Sequence, residues 1–128
     1  MNPYQYFSLD EVDRWQLKPE TWAMADSARG ISGVPYIITS GLRTVAEETA
    51  LRGGVRDSAH ISGYGFDLAC TDGKMLCLIL LGLLRAGFLR IGIYVDAAFN
   101  PTHIHADNDP DLLAKTGPCI WIKREQNL

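Results

Sequence analysis

The chain has 128 residues, 47% hydrophobic and 21% charged, the balance of one folded domain rather than a disordered segment. Its net charge of -3 sets it apart from dedicated nucleic-acid binders, which carry a basic surplus. The three cysteines, at 70, 77 and 119, contain no C-x-x-C pair, which argues against both a disulfide framework and a thiolate zinc knuckle.

In chain order, Ser8 followed by Glu11 is a capping-box pattern and predicts a short helix carrying Val12 and Trp15. Pro19 opens a second helix through Trp22, Ala25 and Ala28, with Gly30 and Gly33 ending it. Val34–Thr39 is rich in β-branched residues and reads as a strand. Thr44–Arg52, rich in alanine and glutamate, reads as a helix stopped by Gly53-Gly54. Asp57–Gly65 holds serines and glycines and is expected to be a loop, leading into a strand over Phe66–Cys70. Asp72-Gly73 then opens an apolar helix to about Gly87. Its most apolar run, Met75–Leu84, is too short to span a bilayer, so no transmembrane segment is expected. Cys70 and Cys77, in apolar surroundings, are expected to be buried. Arg90–Val95, His103–Asp107 and Cys119–Lys123 complete the strands. The order predicts an α+β domain over residues 1–128, an antiparallel sheet with helices packed on one face. Met1–Trp15 lacks a basic stretch followed by an apolar one, so synthesis in the cytoplasm without a signal peptide is expected.

The polar residues suggest the chemistry. Alternate residues of a strand share a face, so His103, His105 and Asp107 point one way and Ile104 and Ala106 the other, into the core. Two imidazoles and a carboxylate can hold zinc and leave a fourth position for water. Spacing alone equally allows a pair of hydrogen-bonded histidines. Asp107, Asp109 and Asp111 alternate like a calcium loop, but Leu112 and Pro118 stand where it needs glycine and glutamate, so an acidic turn is expected.

Ser58-Ala-His60-Ile-Ser-Gly63-Tyr-Gly-Phe-Asp67 resembles the S-x-H-x-x-G-x-x-x-D signature of zinc peptidases that cut peptidoglycan stem peptides. These are the D-alanyl-D-alanine carboxypeptidases and L-alanyl-D-glutamate endopeptidases of the Hedgehog/DD-peptidase fold. Thr39-Ser40-Gly41-Leu42-Arg43-Thr44 is similar to their S-G-x-R motif, and Arg90–Tyr94 followed by His103–Asp107 to the segment carrying the last ligand. The similarity runs over about 34–110, and the small size looks most like phage or prophage lysis proteins.

The resemblance implies one zinc ion held by His60, Asp67 and His105. It makes Arg43 the group near the substrate carbonyl and Ser58 a substrate-binding residue; Tyr64 and Tyr94, which flank the two ligand segments, would line the cleft or pack in the core. Without it, Arg43 would pair with Glu47, Ser58 would serve a turn, and Asp57 is a loop residue. Many members carry an acid three residues before the last ligand as general base; here that position is Thr102. His103, as base or oxyanion stabiliser, fits best, with Asp107 and Asp96 as alternatives. Asp107 would equally serve by orienting a ligand imidazole. The implied function is hydrolysis of stem-peptide amides by a monomer, acting at the cell wall after release or carried in a virion. The alternative is a non-catalytic wall-binding or structural module that keeps the fold.

Overall fold

A computed structural model describes residues 2–43 and 59–125. The expected helix over Thr44–Arg52, its Glu47, and Asp57 and Ser58 lie outside the described residues. Helix α1, Leu9–Trp15, starts on the expected capping box: Ser8 Oγ accepts from the Glu11 N–H at 3.1 Å, and Glu11 Oε1 accepts from the Ser8 N–H at 3.0 Å. Helix α2, Pro19–Ser32, runs through Gly30, and Gly33 alone caps it. Of its buried residues, Trp22, Ala25, Ala28 and Ser32 recur at helical spacing and form one face, with Thr21 beside them.

Strand β1 is only Ile38–Ser40, shorter than expected, because Tyr36 joins the helices instead. The Tyr36 ring is wholly buried and its hydroxyl lies 2.6 Å from Ser32 Oγ. A four-residue helix α3, Ala59–Ser62, replaces part of the expected loop. It is followed by β2, Gly65–Ala69, and α4, Gly73–Ala86. The Asp72 carboxylate caps α4, accepting from the Met75 N–H at 2.8 Å, and Gly87 ends it. Helix α4 buries only the stripe of Ile79, Gly82 and Leu83, so Cys77 is exposed, contrary to expectation, while Cys70 is buried. No helix among the described residues is long and apolar enough to cross a membrane.

Strands β3, Arg90–Val95, and β4, Pro101–Asp107, form a hairpin. Helix α5, Pro110–Thr116, and strand β5, Cys119–Arg124, follow. The acidic turn expected around Asp107–Asp111 is in fact the start of α5. Asp109 caps it through the N–H groups of Asp111 and Leu112, and Pro110 sits in its first turn.

The sheet order is β1-β2-β4-β3-β5. All neighbours are antiparallel except the last pair: β5 runs parallel to β3. The cause is the short link through α5. It leaves β4 at Asp107, opposite Arg90, and re-enters the sheet at Cys119, again opposite Arg90, so β5 skips over β3 and runs back alongside it. One slip interrupts the β3–β4 ladder: Tyr94 pairs with His103 and Val95 with Pro101, leaving Thr102 as a bulge residue.

Alternation then sorts the sheet. Phe66, Leu68, Ile91, Ile104 and Ala106 join Trp22, Ala25, Ala28, Ile79 and Leu83 in one core. Each large apolar side chain withdrawn from water there contributes about 1.5–3 kcal/mol. The opposite parity, Asp67, His103, His105, Asp107, Arg90, Tyr94 and Trp121, faces away from the helices.

Candidate metal centre

Asp67 and His105 are directly paired across β2 and β4, which puts their side chains side by side on the polar face. His60 reaches them from α3, held by two ties to the segment after β1. Its Nδ1 lies 2.9 Å from the Gly41 carbonyl, and its own carbonyl accepts from the Arg43 N–H at 2.9 Å. Gly65 allows the close packing: a β-carbon there would stand 2.7 Å from the Ala59 methyl and 3.0 Å from the His105 ring. His60, Asp67 and His105 are all buried, and their ligand atoms lie within 4.8 Å of one another.

Hydrogen-bond partners assign the protons. Gly41 O can only accept, so His60 carries its proton on Nδ1 and turns the Nε2 lone pair toward Asp67 Oδ1, 3.2 Å away. Asp107 Oδ2, 2.6 Å from His105 Nε2, likewise fixes that proton and turns Nδ1 toward the same Asp67 oxygen at 3.0 Å. Three acceptors thus converge on one point and need a positive charge between them. Two neutral imidazoles and a carboxylate are a donor set that suits zinc. The residues fit such an ion.

The electrostatics agree. Burial alone would push the Asp67 pKa up, but hydrogen bonds and charge from His105 and His60 outweigh it and hold the carboxyl well below the usual carboxylate range. Burial works to lower the His105 pKa, yet its bonds to Asp107 and Asp67 win and raise it.

Around this cluster the structure gathers most of the expected residues. Arg43 Nη2 lies 3.6 Å from Asp67 Oδ2. Tyr94 stacks on His103, ring centroids 4.3 Å apart. Asp107 is wholly buried with both oxygens committed: Oδ1 accepts from Arg90 Nε at 2.9 Å and from the Asp109 N–H at 3.2 Å, and Oδ2 faces His105. Asp107 thus stands behind His105, on the side of the ring away from Asp67. Asp96 Oδ1 accepts from the N–H groups of Ala98 and Asn100 and closes the β3–β4 turn.

Sequence reading missed Arg90 and left Trp121 as a core or groove-wall residue. Arg90 bridges Asp107 to Thr116 Oγ1 at 2.7 Å, and the Trp121 ring lies 5.7 Å from the His105 ring. The alternation Arg90, Gly92, Tyr94 against Ile91, Ile93, Val95 was the available signal for Arg90.

Residues 8–107 match the family model described as Peptidase M15. The chain belongs to the peptidase M15 family. This M15 peptidase is also similar to the crystal structure of the L-Ala D-Glu endopeptidase ChiX of Serratia marcescens, with a TM-score of 0.56 and 17% identity. That match covers 86% of this chain and 95% of the Serratia chain, and it shows the same fold. No curated protein sequence matches significantly. The family match takes in α1 and α2 as well as the motifs, and stops before α5 and β5.

Proposed function

We propose that this M15 peptidase is a zinc-dependent hydrolase of amide bonds in the stem peptides of bacterial peptidoglycan, acting at the cell wall. The observation that carries the reading is the convergence of His60 Nε2, His105 Nδ1 and Asp67 Oδ1, each imidazole turned inward by a fixed partner on its far side. A zinc ion held there would polarise the substrate carbonyl and acidify a water. His103, two residues along the same strand face, takes the proton of the attacking water and returns it to the departing amine nitrogen. The Arg43 guanidinium stabilises the negative charge that grows on the carbonyl oxygen, a role whose loss costs roughly 10²–10³ in kcat. Tyr94 forms the wall beside His103, and Ser58 is assigned to substrate binding from the motif resemblance. The chain acts as one domain and as a monomer in this reading.

The Serratia neighbour is named an L-Ala D-Glu endopeptidase, which makes that linkage the first to assay. Purified peptidoglycan is incubated with protein as prepared, after chelation, and after zinc is restored, and new amino groups are counted. Hydrolysis lost on chelation and recovered with zinc is expected. Activity indifferent to the chelator would sink the zinc mechanism, and wall binding without any hydrolysis would favour the non-catalytic module.

A further inference from the structure

Strand β5 lies beyond the stretch that matches the family, and the residue that follows it returns a carboxylate to the polar face. The Glu125 N–H donates to the Val95 carbonyl at 2.8 Å, which extends the parallel β3–β5 ladder by one step. That bond fixes where the side chain starts. Glu125 Oε1 lies 3.5 Å from His103 Nδ1 and 3.4 Å from Thr102 Oγ1. The bulge explains how neighbours on a strand meet one acid: it lets the Thr102 hydroxyl come within 3.2 Å of His103 Nδ1.

The His103 ring is held on a second side. Tyr94 stacks on it with the planes 11° apart, and Trp121 Nε1 donates to the Tyr94 hydroxyl at 3.3 Å. One ring face and one nitrogen edge are therefore supported by three separate strands. A carboxylate beside Nδ1 favours the tautomer with its proton on that atom, so Nε2 becomes the acceptor. Both groups remain partly accessible, with 23% of the His103 side chain and 28% of the Glu125 side chain exposed, as a group that must reach a substrate requires.

We propose that Glu125 is a positioning residue for His103: its charge beside Nδ1, and on the Thr102 hydroxyl that also meets Nδ1, holds the ring proton there and so fixes Nε2 as the atom that takes the proton of the attacking water. The proposal rests on the hydrolase reading with His103 as base. The proton passes from water to Nε2 and then to the amine nitrogen as the C–N bond breaks. Glu125 keeps its charge throughout.

The test compares zinc-loaded wild type, Glu125→Ala, Glu125→Gln, His103→Ala and the double variant H103A/E125A on soluble stem-peptide fragments. Loss of an orienting partner typically costs 10–100-fold, and the partial exposure of Glu125 places it near the lower end, at about tenfold in kcat with KM unchanged. Glu125→Gln keeps an acceptor oxygen and should recover most of that loss. In the His103→Ala background, removing Glu125 should cost nothing further, which a merely structural role would not produce. A rise in KM alone, or an equal loss in the His103→Ala background, would overturn the proposal. A wild type that releases no amine would remove the hydrolase reading itself, and a fully active His103→Ala would remove the base on which Glu125 acts.

Discussion

The sharpest consequence of the site geometry concerns Asp107→Asn, a change of one oxygen to an NH₂ group at a wholly buried position. The Oδ1 side faces two donors, Arg90 Nε and the Asp109 N–H, so the amide oxygen must stay there and the NH₂ must face His105 Nε2. Nε2 would then have to accept, and the imidazole proton would move to Nδ1, the atom aimed at Asp67 Oδ1 from 3.0 Å. That proton occupies the place of the metal.

Loss of such an orienting partner costs roughly 10–100-fold in metal affinity, and a forced change of tautomer belongs at the upper end. About a hundredfold is expected, or ~2.8 kcal/mol at 1.4 kcal/mol per decade. Folding suffers less. Breaking a buried ion pair outright costs about 3–5 kcal/mol, but here Arg90 keeps the amide oxygen and Thr116 Oγ1, so about 2 kcal/mol is expected. Zinc affinity is read by competition with a chromophoric chelator near neutral pH, alongside a melting curve of the metal-free protein. Wild-type affinity in a folded Asn variant would refute the tautomer argument. A lower melting temperature with unchanged affinity would reduce Asp107 to a structural residue.

Two further predictions concern the contact between α2 and α4. A methyl group at Gly82 would overlap Ser32 Oγ and the Ala28 carbonyl and press on the Tyr36 hydroxyl, so Gly82→Ala should destabilise by about 1–3 kcal/mol, seen as a lower urea midpoint, whereas an unchanged midpoint would contradict this packing. Burial pushes the Tyr36 pKa up to about 12 from 10.0, so its contribution to stability is complete below pH 10.0 and is lost as pH rises toward 12; urea melts of Tyr36→Phe should lack that alkaline decline, and identical pH profiles would contradict the assignment.

Much of this was legible in the sequence because it depends on neighbours along the chain. The Ser8–Glu11 box, the Asp72 cap and the alternation from His103 to Asp107 are local patterns, and each produced the expected element. His60 and Asp67 were recognised through motif spacing, although the single helical turn that carries His60 was hidden among serines and glycines. Helix α5 did have a signal, Asp109 before Pro110, which the acidic alternation obscured. What sequence could not supply was lateral order. Arg90, Trp121 and Glu125 matter because β3 lies beside β4 and β5 beside β3, and the parallel placement of β5 is decided by where a short link re-enters the sheet. Cys77 went the other way, since an apolar helix packed along one stripe must leave its far side in water.

The extra residue at Thr102 has an effect on how this peptidase can vary. On its β2 side, strand β4 keeps unbroken register from Gly65 opposite Asp107 to Ala69 opposite His103. The slip is absorbed wholly on the β3 side, after His103 has been set. It works as an expansion joint between the turn at Asp96–Asn100 and the paired stretch of β4 that carries His105. A change in the length of the hairpin tip can therefore leave His105 opposite Asp67.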